Sequence, residues 1–541
     1  IYRIGGDGAI RWRVPTDTTV WAVNAIADGR LLVTTMADGT IRWWRASDGA
    51  ALLTLYTQPD GSWVVWAPNG YFDASAGADR LVGWTVNRGA DAAADHFTLG
   101  RFRDRFQRAD VIDRIFDTLD PIAAVRAANE AAAVAAAATG GSGGSAASGA
   151  SAPGGTAAGG ADTTPGAAVT DIVTAPPRFE TTMLPPALAA LGDTVLKPAD
   201  GRVTLPFSVR AGGIDIQVEV RINGRPARPE DLALPRSADG NARGIARLTV
   251  PAGGGMVQLF ARNRNGVSEP LTFWVEGAGQ AVSAAQAADA DRDGRSTLYL
   301  LAVGVSDYQR NEYRLGLAAK DARDFAAAMQ KQSGRMYRTV VLRTLTDREA
   351  TRAAVLRELE WLAASAGPGD TAMLFLAGHG LNGADGHYYF LPHDGMHERL
   401  AATGVAERNL RDALARVRGK AILFVDTCFA GNVLGAFRNA SRELARVTST
   451  LASPENGVVV FASSSGRQLS EEKDEWGNGA FTKALLEGLS GRADLAQTGR
   501  ITFRALHAFV TEQVSRLTKG RQTPVTISPA GLLDFALARM I

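Results

Sequence analysis

The last 245 residues alternate between continuous apolar runs and amphipathic segments. The apolar runs are TLYLLAVGV (297–305), RTVVLRTL (338–345), TAMLFLAG (371–378), KAILFVD (420–426) and GVVVFAS (457–463). Helical periodicity marks the segments near 318–333, 349–364, 407–418, 478–490 and 502–518. Continuous apolar strands separated by helices predict a doubly wound, mostly parallel sheet, and so an α/β domain over residues 297–541.

Residues 1–95 instead alternate apolar and polar positions in short stretches that end in turns. DGTIRWWRASDGALLTL is one such stretch and GYFDASAGADRLVGWTV is a second. Trp43 and Trp84 are 41 positions apart in these stretches, which matches the length of a WD40 propeller blade. The region resembles WD40 repeats and predicts a β-propeller fragment, with an unrelated small β domain as the alternative.

Two further changes of pattern follow. Residues 96–137 have apolar positions at steps of three and four and predict a helical segment. Residues 138–176 are rich in Gly, Ser, Ala and Pro and predict a disordered linker. Period-two alternation with two Asn-Gly turns over 177–277 predicts an antiparallel β-sandwich. This region resembles bacterial immunoglobulin-like domains. Residues 278–296 are predicted to be a second linker.

Two chemically reactive residues follow neighbouring apolar runs of the α/β region. His379 lies in AGHGLNG, and Cys428, the only cysteine of the chain, lies in DTCFAGN. Sheets of this class carry their sites at the carboxyl ends of the strands, and an imidazole beside a thiol makes the thiolate a strong nucleophile. We therefore predict a Cys-His pair, with the amides of Gly380 and Cys428 receiving an oxyanion. An inert buried thiol and a core histidine are the alternatives.

These motifs resemble those of the caspase-like cysteine peptidases, and within them the metacaspases and their bacterial relatives. LFLAGHG is similar to their histidine motif, and VDTCFAG is similar to their Asp-x-Cys-x-x-Gly motif. YLLAVGVSDY with AAKDAR, GAFTKALLEGL and GRQTPVTIS match further motifs in the expected order, and the separation of 49 positions between His379 and Cys428 is close to the caspase spacing. The resemblance implies His379 as general base and acid and Cys428 as nucleophile, acting as a dyad because no orienting carboxylate is evident.

An acidic substrate pocket is predicted from two aspartates. Strand alternation places Asp426 and Cys428 on the same side of their strand. A carboxylate so close to the nucleophile favours a cationic side chain before the scissile bond. Asp321, in KDAR, matches the second acidic residue that metacaspases contribute to this pocket, so we expect cleavage after Arg or Lys. A structural role for Asp426, accepting bonds from loop amides, is the alternative.

Calcium stays an open cofactor, and no metal ligand is assigned. Asp394 matches one aspartate that metacaspases use for calcium, but FAGNVLGAFRNAS after Cys428 lacks another. His387, His393 and His397 lie close together in the sequence, without the spacing of a zinc site. We expect these histidines to be solvated loop residues.

The segment between the nucleophile strand and the next strand carries candidate self-processing sites. Arg438, Arg442 and Arg446 are basic residues that an arginine-preferring pocket would accept. A surface amphipathic helix with solvated arginines explains them equally well.

Composition limits the remaining function classes. The net charge of +2 gives no general polyanion-binding surface, so no nucleic-acid partner is expected. No apolar run is long enough to span a membrane, and seven lysines among 58 basic residues suggest a GC-rich bacterial genome. We expect a cytoplasmic protein. Because the chain begins with Ile1, we also expect its true N-terminus to be missing, and a removed signal peptide stays an alternative.

Together these patterns predict a multidomain cysteine endopeptidase. Its partners would be protein or peptide substrates and a protein bound through the WD40-like or immunoglobulin-like module. The alternative is a catalytically silent caspase-like scaffold that only binds peptides.

Overall fold

The structure is a computed structural model, and it divides into two compact units. One unit contains residues 1–73 and 106–178, and the other contains residues 74–105 and 179–541. The residues described are 1–87, 94–139, 184–198, 201–211, 215–234, 241–250, 254–276, 296–383, 387–429, 448–453, 456–464, 470–529, 532 and 534–540. Most of the predicted linkers 138–176 and 278–296 therefore lies outside the described residues.

The first unit contains antiparallel strands followed by helices. Its strands are β1 (Tyr2–Ile4), β2 (Ile10–Arg13), β3 (Val20–Ile26), β4 (Leu31–Met36), β5 (Thr40–Arg45), β6 (Ala51–Thr57), β7 (Trp63–Trp66) and β8 (Phe72–Ala74). Strands β1 and β2 form a hairpin, and β3 to β8 form one six-stranded sheet in chain order. Trp43 of β5 packs edge-on against Phe116, with ring centroids 6.0 Å apart.

The helical region begins later than the predicted residue 96. Asp95–Thr98 (β10) instead pairs antiparallel with Gly83–Val86 (β9). The helices are α1 (Arg103–Phe106), α2 (Ala109–Thr118) and α3 (Pro121–Thr139). Trp84 lies in β9 and Trp43 lies in β5, so the two tryptophans that match a blade period belong to different sheets.

Residues 74–105 belong to the second unit and contact distant parts of it. The amide of Gly77 donates to Ser449 Oγ at 2.7 Å, and Arg103 Nη1 donates to Thr450 Oγ1 at 3.2 Å. Arg103 also forms a buried ion pair with Asp79. The sequence assigned residues up to 95 to the N-terminal module, whereas these contacts belong to the second compact unit.

Two sheets between residues 187 and 276 share one hydrophobic cluster. The first contains β11 (Ala187–Ala190), β13 (Arg202–Arg210), β16 (Asp231–Ala233) and β17 (Asn241–Thr249). The second contains β12 (Val195–Leu196), β14 (Gln217–Ile222), β15 (Arg225–Ala227), β18 (Gly254–Asn263), β19 (Gly266–Val267) and β20 (Leu271–Glu276). Phe207 of the first sheet and Phe273 of the second are both fully buried in this cluster. The strand pairs of these two sheets are antiparallel among the described residues, except β12 with β20, which is parallel.

The C-terminal region is an α/β domain built on one sheet, as the apolar runs predict. Its main strands, in spatial order, are β22 (Thr339–Thr346), β21 (Thr297–Gly304), β23 (Thr371–Asn382), β26 (Lys420–Phe429), β27 (Val458–Ala462) and β31 (Val525–Ile527). The first five are parallel, and β31 is antiparallel to β27. Short strands complete the region: β24 (Tyr388–Phe390), β25 (Val405–Ala406), β28 (Glu472–Lys473), β29 (Asn478–Gly479), β30 (Arg500–Thr502) and β32 (Ala536–Arg539).

Helices cover both faces of this sheet. They are α4 (Ala318–Gln330), α5 (Arg352–Ser365), α6 (Leu400–Thr403), α7 (Glu407–Ala415), α8 (Ala480–Glu487) and α9 (Phe503–Thr518). Helices α5 and α7 pack in one hydrophobic cluster, and α4, α8 and α9 pack in the other. Strand residues alternate between the two clusters: Leu423 lies in the first and Phe424 in the second. None of the described helices is both long and apolar enough to cross a membrane.

The two central strands are longer than the apolar runs that predict them. Strand β23 continues to Asn382 and β26 to Phe429, because their pairing persists through Gly380 and Phe429. The sequence predicted that His379 and Cys428 follow their strands, and the structure shows that both lie within the last residues of them.

Candidate active site

The sheet register brings the two predicted reactive positions side by side. His379 of β23 is the Cα partner of Cys428 of β26, in parallel neighbouring strands. The structure describes the backbone of Cys428 and not its side chain. Gly380, the predicted oxyanion donor, follows in the same strand and pairs with Phe390 of β24. The predicted residues therefore meet at the carboxyl end of the sheet.

The side chain of Tyr308 and the carbonyl of Tyr313 hold His379, which is buried. Its backbone N–H donates to Tyr308 Oη at 2.9 Å, and the Tyr308 ring lies 5.1 Å from the imidazole centroid. Nε2 lies 2.8 Å from the carbonyl oxygen of Tyr313. Because a carbonyl can only accept, Nε2 carries the proton and the lone pair of the neutral ring is on Nδ1.

The glycine before the histidine is required by the backbone. Gly378 has φ +149°, which L-residues rarely adopt, and a Cβ there would lie 2.9 Å from Tyr308 Oη. The AGHG motif thus lets the Tyr308 hydroxyl approach the strand and bond the amide of His379.

A second tyrosine contacts the neighbouring strand. Tyr388 of β24 lies 3.2 Å, oxygen to oxygen, from Thr427 Oγ1, next to position 428. Burial raises the pKa of Tyr388 to about 12, so the phenol stays neutral. A Cβ at Gly380 would lie 2.6 Å from the Tyr388 hydroxyl, so this position also requires glycine.

Asp321 and Asp426, predicted to line one pocket, lie close together in the structure. Both are buried. Asp426 Oδ2 accepts from Thr482 Oγ1 at 2.7 Å, and Asp321 Oδ1 accepts from Asn478 Nδ2 at 2.8 Å. A Cβ at Gly479 would lie 3.2 Å from Asp321 Oδ2 and 3.3 Å from Asp426 Oδ2, so both carboxylates flank this glycine.

The acidic pair resists ionisation. Burial, and then the charge of Asp426, raises the pKa of Asp321 to about 8. Burial also raises the pKa of Asp426, to about 6, against the hydrogen bond from Thr482, and the charge of Glu472 adds to the rise. Because the two carboxyls interact, they titrate as a pair, which retains a proton near neutral pH. A cation entering between them would replace that proton.

A buried glutamine supports the wall next to Asp426. Gln522 Nε2 donates to the carbonyl of Ser463 at 2.8 Å, and its Oε1 accepts from the amide of Glu471 at 2.8 Å. This glutamine belongs to the GRQTPVTIS motif and joins the end of β27 to the segment before β28.

One histidine and the aspartate considered for metals have other partners. Asp394 Oδ1 accepts from the amide of Arg352, at the start of α5, and His393 Nδ1 lies 2.5 Å from the carbonyl of Asp307. His393 is buried, so the expectation of a solvated loop residue is wrong at this position. Among the described residues, no three His, Cys, Asp or Glu side chains converge as a metal site would require.

Several residues of the site were missed in the sequence. Tyr308, Asn478, Thr482 and Glu472 each bond a residue of the site or its walls. Tyr308 and Thr482 lie in motifs that match the family, which was the available signal; Asn478 and Glu472 carried none. Arg438, Arg442 and Arg446 lie outside the described residues.

Comparisons with known proteins bear on the C-terminal region. Residues 298–532 match the family model of the caspase domain, Peptidase_C14. No curated protein matches the chain.

Solved structures give weaker similarities. One is protein GSU0716 from Geobacter sulfurreducens, at 21% identity and a TM-score of 0.34, covering 45% of this chain and 100% of that one. Another is the titin M3 domain, at 14% identity and a TM-score of 0.14, covering 17% of this chain and 97% of that one. The Ig1-2 module of the Drosophila receptor protein tyrosine phosphatase DLAR has 10% identity and a TM-score of 0.15. The similarity covers 23% of this chain and 62% of that one.

The matched range includes His379 and Cys428, whose Cα atoms are partners in the neighbouring strands β23 and β26. Residues 298–532 are therefore similar to the caspase domain, which supports a caspase-like cysteine peptidase domain in this part of the chain.

Proposed function

We propose that this protein is a cysteine endopeptidase of the metacaspase type that cleaves after Arg or Lys. The observation that carries the specificity is the buried pair of Asp321 and Asp426 on either side of Gly479. A guanidinium or ammonium group compensates two such carboxylates, whereas an acidic or apolar side chain does not.

The proposed chemistry uses a Cys-His dyad. With Nε2–H bonded to the carbonyl of Tyr313, His379 accepts the thiol proton of Cys428 at Nδ1. The thiolate then attacks the scissile carbonyl carbon, and the amides of Gly380 and Cys428 stabilise the oxyanion. The C–N bond breaks as the imidazolium returns its proton to the leaving amine, and water hydrolyses the thioester to regenerate the thiol.

The proposal extends to the rest of the chain. Self-processing at Arg438, Arg442 or Arg446 follows from the same specificity, because these basic residues lie in the segment after the nucleophile strand. Calcium stays an open cofactor. We further propose that the WD40-like and immunoglobulin-like modules bind a protein partner in the cytoplasm.

The direct test is hydrolysis of peptide reporters that end in Arg, Lys or Asp, with calcium and with a chelator. We expect turnover of the Arg and Lys reporters. Cys428→Ala and His379→Ala should each lower kcat/KM by about 10³-fold or more, because they remove the nucleophile or its base. His397→Ala, a histidine on the connection after β24, is the matched control and should retain activity.

Three outcomes are decisive. A folded wild type that turns over no reporter favours the peptide-binding scaffold. Preference for the Asp reporter contradicts the acidic pocket. Activity that disappears with the chelator and returns with calcium establishes the cofactor.

A further inference from the structure

A short hairpin holds the start of helix α4 at two places. Strand β28 (Glu472–Lys473) pairs antiparallel with β29 (Asn478–Gly479), and Glu472 is the Cα partner of Gly479. Side chains from both strands bond residues at or before the first turns of α4, which carries Asp321.

The first attachment is made by the carboxylate of Glu472. Its Oε1 accepts from the amide of Gly316 at 2.9 Å, and its Oε2 accepts from the amide of Leu317 at 3.1 Å. Leu317 is the N-cap of α4 and offers no side-chain cap. A carboxylate bonded to two amides makes charge-assisted hydrogen bonds, which are stronger than neutral ones. Because the Leu317 side chain cannot cap the helix, Glu472 holds the start of α4 from the hairpin.

The second attachment is made at the other strand of the hairpin. Asn478 Nδ2 donates to Asp321 Oδ1 and to Asp324 Oδ2, each at 2.8 Å. The amide of Gly479 donates to Asp321 at 3.3 Å. Asp321 thus depends on the hairpin for its bonds, and the hairpin is fastened to the same helix by Glu472.

We propose that Glu472 is a positioning residue for cleavage after basic residues, holding the hairpin Glu472–Gly479 against α4 and so fixing Asp321 beside Asp426. This inference rests on the proposed function for its effect on cleavage. The contact itself is independent of the proposed function, because it consists of hydrogen bonds from two amides to one carboxylate. Glu472 is an exposed residue and acts through the hairpin.

A purely electrostatic role for Glu472 predicts the opposite effect. Its negative charge raises the pKa of both Asp321 and Asp426. Removing that charge alone would make the pair ionise more readily, and a cationic side chain would bind more tightly. If Glu472 instead positions the hairpin, its removal would misplace Asp321, and a cationic side chain would bind more weakly. The sign of the change in KM separates the two roles.

The experiment compares Glu472→Ala with Glu475→Ala. Glu475 is an exposed residue of the same hairpin and pairs with Lys473 at 3.4 Å, so it controls for the loss of a surface charge. With the Arg reporter, Glu472→Ala should raise KM about tenfold and leave kcat within about twofold. Glu472→Gln retains one acceptor oxygen and should restore part of the loss.

Hydrogen exchange gives a readout that does not require activity. The amides of Gly316 and Leu317 should exchange faster in Glu472→Ala than in the wild type, and at the wild-type rate in Glu475→Ala. Unchanged exchange at these amides overturns the inference whatever the activity. An unchanged or lower KM, or an equal effect of Glu475→Ala, overturns the positioning role. A wild type without turnover of Arg or Lys reporters overturns the proposed function, and faster exchange in Glu472→Ala would still establish the contact.

Discussion

The surroundings of His379 and those of the acidic pair differ in how their polar groups are satisfied. His379 is held by neutral partners, the Tyr308 hydroxyl and the Tyr313 carbonyl. Asp321 and Asp426 are two buried carboxyls with raised pKa values, and the charge of Asp426 adds to the effect of burial on the pKa of Asp321. Under the proposed function, the first region is ordered before substrate binds, whereas the charge of the second is compensated only when a cation binds there.

The difference indicates that the two regions have different proposed roles and different effects on the stability of the free protein. Neutral hydrogen bonds can fix the geometry of a catalytic ring with little electrostatic penalty. Like charges brought together lower the stability of the free protein, and under the proposed function they give it selectivity for a cationic side chain. Changes in the two regions should therefore have opposite effects on stability.

The largest effect is expected from removing the charge of Asp426. Asp426→Asn retains an acceptor for Thr482 and removes the carboxylate, so kcat/KM for the Arg reporter should fall about 10²- to 10³-fold. The unfolding midpoint should rise at neutral pH, because a disfavoured buried charge is lost. Asp412→Asn on the exposed face of α7 is the control for both measurements. A lower midpoint together with lower activity would show that Asp426 is chiefly a structural acceptor.

The next effect concerns stability against pH. A carboxyl whose pKa is raised by folding binds its proton more tightly in the folded state. Its contribution to the free energy of unfolding is therefore full below about pH 4, the unfolded pKa, and is lost as the pH rises through the folded pKa values of about 6 for Asp426 and about 8 for Asp321. The free energy of unfolding of the wild type, minus that of Asp321→Asn, should fall by about 1 kcal/mol or more between about pH 5 and about pH 9.

Urea unfolding of both proteins at each pH measures this difference. Asp324→Asn lies one turn further along α4, where Asp324 is ion-paired with Lys320, and its difference from the wild type should not fall over this range. A constant difference for Asp321→Asn would mean that the acidic pair is not electrostatically strained.

The smallest effect is expected beside His379. Tyr308→Phe keeps the ring next to the imidazole and removes the acceptor of the His379 amide, a loss of about 1 kcal/mol. We expect kcat to fall about fivefold with KM unchanged. Tyr337→Phe removes a buried hydroxyl that bonds the Leu537 carbonyl, and should lower stability without this change in kcat. A rise in KM in Tyr308→Phe would show that the two regions are coupled.

The elements of the α/β domain were predictable from the sequence, because apolar periodicity directly reports which positions are buried. Helix α9 spans 503–518 against a predicted 502–518, and β21 spans 297–304 against 297–305. The ends of β23 and β26 were predicted too early because glycines and polar residues there conceal pairing that continues. The boundary predicted at residue 95 also differs from the structure, because the place of residues 74–105 in the second unit depends on distant contacts such as that of Gly77 with Ser449.

The sequence by itself determined the strands and helices, the adjacency of the His379 and Cys428 motifs, and the candidate acidic residues. Only the tertiary structure decided which groups surround them: the Tyr313 carbonyl on His379, Thr482 on Asp426, and the hairpin of Glu472 on the start of α4. The physical reason is that periodicity follows from local backbone geometry and burial. Partners separated by 56 or more positions, as Asp426 and Thr482 are, meet only through strand order and helix packing.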